Sequence, residues 1–377
     1  MNRFTDTLEA LAAEHRLRSI PAEDSGTRID LLSNDYLGLG ARCEEFREEF
    51  LTRFPDASFS SSASRLLSRR QKYHSMLEER LGSLFSRRAL VFNSGYHANT
   101  GVLSALAGKG TLLLVDKLMH ASAIDGVMMA AGTRKGDYRR FRHNDMEDLE
   151  RIVTEESGKY NEIIVVTESV FSMDGDTVPL RRLVEIKRRH PGVLIYLDEA
   201  HAFGVRGAHG LGLAEETGLT DDVDIIVGTF GKALASAGAF VAARHEIIDF
   251  LINTSRSFIF STALPPACQA WTLLMMEKAE AMRAERESLL ALSRDFASRL
   301  RRVLPATPAH AGESQVIPLM CGSAEKALEM AEKIRDAGYD ALPIRRPTVP
   351  PGGERVRLSL NASLSITDLL PLLERIP

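Results

Sequence analysis

Five short apolar runs, each followed directly by a polar or charged side chain and separated by helix-length segments, constrain this chain more than any other feature. They lie at 88–92, 111–115, 162–167, 193–197 and 224–228. Runs that are apolar at both parities suit strands buried on both faces, which in practice means a mostly parallel sheet. Residues 76–85, before the first run, and 96–107, between the first two, carry apolar positions at helical spacing. The prediction is an α/β fold whose sheet is covered by helices on both sides.

The remainder reads differently. A short helix is predicted over 4–16 and a loop over 21–28, and a long helical region over 266–303 leads into a second composition. There, 315–320 and 355–360 read as strands and 324–337 and 366–375 as helices, a small α+β domain of ordinary size. The expected division is an N-terminal helix and arm (1–38), a large domain (39–278) and a small C-terminal domain (279–377).

Several function classes drop out. Forty-seven basic residues against fifty-one acidic ones give a net charge of −4, too balanced for a general nucleic-acid or membrane-surface binder. The three cysteines (Cys43, Cys268, Cys321) have no metal spacing and form no disulfide framework. No metal site is expected. No apolar run is long enough to span a membrane and no apolar signal core follows Met1, so a cytoplasmic, reducing location is expected.

Ligands in parallel sheets bind beyond the carboxyl ends of strands. After 88–92 come Gly95 and Tyr96 at a helix start, where backbone N–H groups can meet an anion. His120 follows the second run, Glu168 and Ser172 the third, Asp198 and His201 the fourth, and Thr229 and Lys232 the fifth. Taken singly, each has an ordinary explanation: a turn, a satisfied histidine, a solvated lysine. Five strand ends that all carry such groups point to a site. Asp198-Glu199-Ala200-His201 also spells the acidic box of some helicases, but Gly231-Lys232 is followed by Ala233 and no phosphate loop exists.

In order along the chain, these segments resemble the α-oxoamine synthases of the fold-type-I pyridoxal-phosphate superfamily. The resemblance runs from about Leu32 to Ile376. It rests on Ser33-Asn34-Asp35-Tyr36-Leu37-Gly38-Leu39, His120-Ala121-Ser122, 167–176, Asp198-Glu199-Ala200-His201 with Gly204, Gly207, Gly210 and Gly212, and Thr229-Phe230-Gly231-Lys232. It implies a seven-stranded, mostly parallel sheet, pyridoxal 5'-phosphate as cofactor, and condensation of an amino acid with an acyl-CoA with loss of CO2. Lys232 would anchor the cofactor and then serve as base at the substrate's Cα. Asp198 would hold the proton on the pyridine nitrogen, His201 would donate to the ring 3-oxygen, and His120 would stack on the ring. The phosphate would fall to Gly95, Tyr96, Ser172 and Thr229, and to Ser261 and Thr262 of a neighbouring subunit, which implies a homodimer with shared sites. Arg357, helped by Asn34, would take the amino-acid carboxylate.

Residues 344–350, Ile-Arg-Arg-Pro-Thr-Val-Pro, resemble the biotin-pathway branch of that family, which implies L-alanine and pimeloyl-CoA as substrates. Arg345 could meet the far carboxylate of such an acyl chain. Arg346 stands where proline is usual, and Arg69 where glycine is common; if that glycine needs a positive φ, Arg69 implies a changed loop near the acyl entrance. The alternatives are another α-oxoamine synthase or a catalytically silent subunit. Lys232 argues against silence.

Overall fold

The computed structural model describes residues 2–20, 27–132 and 136–376. Most of the loop expected at 21–28 therefore lies outside the described residues. The chain divides into two compact units. One comprises Leu37–Phe171 and Thr177–Arg286; the other comprises Met1–Tyr36, Ser172–Asp176 and Glu287–Pro377. In this division the N-terminal arm, expected as a segment of its own, is counted with the C-terminal residues.

Twelve strands occur among the described residues. The first, β1 (Ile29–Asp30), belongs to the smaller unit. The larger unit holds β2 (Arg88–Phe92), β3 (Thr111–Asp116), β4 (Asp137–Phe141), β5 (Glu162–Glu168), β6 (Val193–Asp198), β7 (Ile225–Thr229) and β8 (Ala239–Ala243). They form one seven-stranded sheet in the order β2-β8-β7-β6-β5-β3-β4, in which only β8 runs against the others. The expected fold class is present: a mostly parallel seven-stranded sheet in an α/β protein.

Two strands were not legible in the sequence. The edge strand β4 reads Asp-Tyr-Arg-Arg-Phe and buries only Phe141, so it lacks the apolar run that marked its neighbours. The antiparallel β8 is rich in alanine, which carries little strand signal although all five residues are buried.

Both faces of the sheet are covered. Val115, Val166, Tyr196 and Val227 pack on one side against Val102 and Leu103 of helix Gly95–Leu106, Val127 of helix Ala121–Gly132 and Leu251 of helix His245–Thr254. The alternate positions Leu114, Val165 and Ile195 are equally buried. Helices Met146–Glu156 and Leu180–Arg189 contribute Leu149, Ile152, Leu183 and Ile186 to the buried set. A parallel arrangement then puts Asp116, Glu168, Asp198 and Thr229 at the carboxyl ends of four adjacent strands.

The region expected as one helix over 266–303 is two, Pro266–Ala281 and Arg283–Val303. Arg286, which is 2% exposed, donates at this break to the carbonyl of Ala279, which also accepts the Met282 N–H that caps the first helix.

The smaller unit is built on an antiparallel sheet, β11 (Pro343–Ile344), β12 (Arg355–Ser359) and β9 (Val316–Met320), with β1 paired to β10 (Tyr339–Asp340). Helices Ala324–Asp336 and Ile366–Arg375 accompany it. The excursion Ser172–Asp176 is fastened to this sheet. Ser314 Oγ donates to Gly175 O at 2.7 Å, and Arg355 pairs with Asp174. Gly175 has φ of +71°, and a Cβ there would lie 2.1 Å from the carbonyl oxygen of Val316, so only glycine fits.

Candidate active site

The strand ends of the larger unit gather one connected polar network. The core partner is Asp198, 5% exposed at the end of β6. Its Oδ2 accepts from Asn99 Nδ2 at 2.8 Å and its Oδ1 from the Ala200 N–H at 2.9 Å. The Asn99 amide also donates to Ser122 Oγ (2.9 Å), and its oxygen accepts from the Tyr196 hydroxyl (2.6 Å). Ser122 Oγ lies 2.7 Å from His120 Nδ1, and the Ser122 N–H also reaches that nitrogen, at 3.2 Å. Since a backbone N–H can only donate, His120 Nδ1 is an acceptor and a neutral ring carries its proton on Nε2.

His120 as a residue is exposed, yet its nitrogens sit in a partly desolvated bowl. That desolvation lowers its pKa below the ordinary histidine value; Asp198 works in the opposite sense and Lys232 adds to the lowering. Lys232, half-buried after β7, places Nζ 2.8 Å from His201 Nε2. An ammonium has only donors, so His201 Nε2 is the acceptor. Beside it, Glu199 is fully buried and accepts the N–H groups of Leu213 and Ala214, both at 2.9 Å. Burial raises its carboxyl pKa, and its role is to fix the turn that carries His201.

The anion end is also assembled. Gly95 opens a helix whose first N–H groups have no acceptor within it, and Ser94 Oγ caps only the His97 N–H. A Cβ on Gly95 would come within 3.9 Å of Thr229 Cβ, so the missing side chain leaves a cradle facing the threonine. Such N–H groups with a hydroxyl suit a phosphate dianion. Tyr96 is exposed and its phenol bonds to Asp125. Thr262 lies beside this corner: its carbonyl accepts from Asn93 Nδ2 at 2.7 Å, and it bridges to Ser64. Ser261, next to it, is half-buried.

Lys232, His120, Asp198, His201, Gly95, Tyr96, Thr229, Ser261 and Thr262 thus all belong to the larger unit. Ser172, Asn34, Arg345 and Arg357 belong to the other. There, Arg357 Nη2 donates to Asn34 Oδ1 (2.7 Å) and to the Tyr36 hydroxyl (3.1 Å). Arg345 donates to the carbonyls of His15 and Leu17, so its guanidinium ties down the N-terminal arm. Arg346 lies 3.6 Å from Glu354, an acid that gives the unusual cation a partner. Arg69 is absent from the residues with positive φ, so arginine there carries no backbone strain.

Sequence reasoning missed Asn99 and Tyr196. The signal was present: Asn99 interrupts an apolar helical face one turn after Gly95, and Tyr196 shares a strand face with Asp198, where a buried hydroxyl must find a partner.

The residues present fit pyridoxal phosphate: an anchored carboxylate for a protonated ring nitrogen, a lysine amine, a neutral imidazole, and a glycine cradle for phosphate. The chain belongs to the aminotransferase class I and II family, whose profile matches residues 27–376. It is a fold-type-I pyridoxal-phosphate enzyme. Among its relatives, 8-amino-7-oxononanoate synthase of Chlorobaculum parvum is 43% identical over 383 residues, covering 96% of this chain and 94% of that protein. Serine palmitoyltransferase of Sphingomonas wittichii superimposes with a TM-score of 0.87 at 28% identity, over 99% of this chain and 95% of that one. For 8-amino-7-oxononanoate synthase of Francisella tularensis the TM-score is 0.78 at 26% identity, over 93% and 97%.

Removing Asn99 tests the network. Asn99→Ala should weaken pyridoxal-phosphate binding by about 10-fold or more, because one donor to a buried charge is lost. Fluorescence titration of the cofactor-free protein measures it, and an unchanged affinity would mean that Asn99 does not support Asp198.

Proposed function

We propose that this chain is a pyridoxal-phosphate-dependent acyltransferase that condenses L-alanine with pimeloyl-CoA to 8-amino-7-oxononanoate, releasing CoA and CO2. The observation that carries the reading is the contact of Lys232 Nζ with His201 Nε2 at 2.8 Å in the same unit as the anchored Asp198. The choice of substrates is supported by the near-full-length similarity to relatives bearing that name.

Pyridoxal phosphate, when bound, supplies an electron sink for negative charge developing at the amino acid's Cα. The chain's own residues do the rest. Asp198, held in place by Asn99 and the Ala200 N–H, would pair with the cofactor's ring nitrogen. Lys232 Nζ moves the Cα proton, and its proximity to His201 gives the ammonium an acceptor while it waits. His120 presents a neutral ring face, with Nδ1 fixed by Ser122. Gly95, Tyr96 and Thr229 would hold the phosphate. Arg357, oriented by Asn34 and Tyr36, binds the amino-acid carboxylate in bidentate fashion. Over the whole reaction a C–C bond forms between alanine Cα and the acyl carbonyl carbon, the thiol leaves and the carboxylate departs as CO2.

The working form is read as a homodimer in which Ser261 and Thr262 serve the neighbouring subunit's phosphate. Phe59, Leu67 and Phe260, 81%, 78% and 69% exposed in the single chain, support a second copy against this unit. We place the chain in a reducing cytoplasm, where cysteines such as Cys43, Cys268 and Cys321 stay as thiols. No helix among the described residues is long and apolar enough to cross a membrane. A second reading, another amino acid and acyl thioester, is favoured by one observation: the serine palmitoyltransferase superposition has the higher TM-score. The higher sequence identity, 43%, lies with the oxononanoate synthase of Chlorobaculum parvum.

Thiol release over a grid of alanine, glycine and serine against pimeloyl-, acetyl-, succinyl- and palmitoyl-CoA decides between these. Turnover should be confined to alanine with pimeloyl-CoA and vanish in Lys232→Ala; turnover on serine with palmitoyl-CoA would transfer the chain to the second reading.

Arg345 is assigned to the far acyl carboxylate. Arg345→Ala should raise KM for pimeloyl-CoA about 10-fold or more while a monocarboxylic analogue of equal length changes little. Equal losses on both would leave Arg345 with its contact to the arm alone.

A further inference from the structure

Glu168 ends β5 directly opposite Asp198, the two being register partners on adjacent parallel strands. Partners in register leave the same face of a sheet, with their backbones about 4.8 Å apart. Two carboxyl groups therefore share one buried space: Glu168 is 2% exposed and Asp198 5%. Their surroundings are unequal. Asp198 has the Asn99 amide and the Ala200 N–H. Glu168 Oε1 accepts only the His120 backbone N–H, at 2.6 Å, and no cation lies within ion-pairing distance of it among the described residues.

The other charged and titratable groups that face it are Lys232, whose ammonium is engaged with His201, and Asp116. The Asp116 carboxylate is already taken by His143 and by the N–H groups of Leu118 and Asn144. Two like charges in one dry space do not both persist, and the poorly solvated group is the one that keeps its proton.

We infer that Glu168 is a protonated positioning residue of the cofactor site. Its neutral carboxyl clamps the backbone of His120 through Oε1, holds its proton on Oε2, and leaves the charge of Asp198 unopposed by a second carboxylate at its register position. The protonation stands on the protein's own geometry; its consequence for the cofactor rests on the site proposed above.

Burial pushes the Glu168 carboxyl up to about 8, with Asp198 adding to the rise and Lys232 opposing it. A value raised above that of the unfolded chain, about 4.3, favours the folded state fully below that pH. The contribution is lost as pH rises through about 8. The cofactor-free protein should therefore lose stability from this group between those limits, and Glu168→Gln should remove that part of the pH dependence.

The decisive test is infrared difference spectroscopy of the cofactor-free protein at pH 7, where the proposal does not depend on activity. A protonated-carboxyl C=O band should be present, fade as pH is raised through 8, and be missing in Glu168→Gln. In a parallel measurement of pyridoxal-phosphate affinity, Glu168→Ala should bind about 10-fold more weakly or worse, and Glu168→Gln, which can still accept the His120 N–H, should recover most of that loss. Absence of a band attributable to Glu168, or a glutamine variant as impaired as the alanine one, would overturn the proposal. Failure of the substrate grid with the band intact would instead count against the proposed reaction alone.

Discussion

A carboxylate kept almost out of water is the interaction on which the rest of this structure depends. Burying an ionised Asp198 without partners would cost several kcal/mol, and the fold offsets that cost with donors set by secondary structure. The Asn99 amide comes from the helix after β2, and the Ala200 N–H comes from the turn that β6 itself begins. Hydrogen bonds to a charged group contribute about 1.5–3 kcal/mol each, so two of them bring the burial within reach. Tyr196 then fixes the Asn99 amide from the opposite side, which leaves it one orientation. The charge is thus aimed before any ligand arrives, and such preorganisation makes a buried charge useful in catalysis.

The same network sets His120. Asn99 donates to Ser122 and Ser122 meets His120 Nδ1, while Glu168 holds the His120 main chain. Asp198 and His120 are therefore linked through one amide, and a change at Asn99 should be felt at both. Lys232 and His201 reach the same bowl from the ends of β7 and β6. Parallel strands in register bring these groups together, and the helices on both faces make their environment dry.

Much of this was legible in the sequence because the physics was local. Apolar runs gave five of the seven sheet strands, and the short segments after the runs gave Asp198, Thr229 and Lys232. The strands that escaped did so for definable reasons: β4 is an exposed edge, and β8 is alanine-rich and buried by its neighbours. Asn99 and Tyr196 escaped because their importance lies in a contact between residues 97 positions apart, which no local pattern records. The helix break at Met282 depends in the same way on where the Arg286 side chain turns. The arginines diverge more. Arg357 bonds to Asn34, whereas Arg345 is engaged with the backbone of the arm, a contact that a loop sequence alone does not announce.

The central claim is that the site is organised around the charge of Asp198 and not merely its shape. Asp198→Asn keeps the size and one acceptor while removing that charge. The measurement is thiol release by the cofactor-loaded variant beside its visible absorbance. The account predicts a folded protein that still binds pyridoxal phosphate through Lys232 but releases thiol at least about 100-fold more slowly. A variant that turns over within a few-fold of the parent would contradict it.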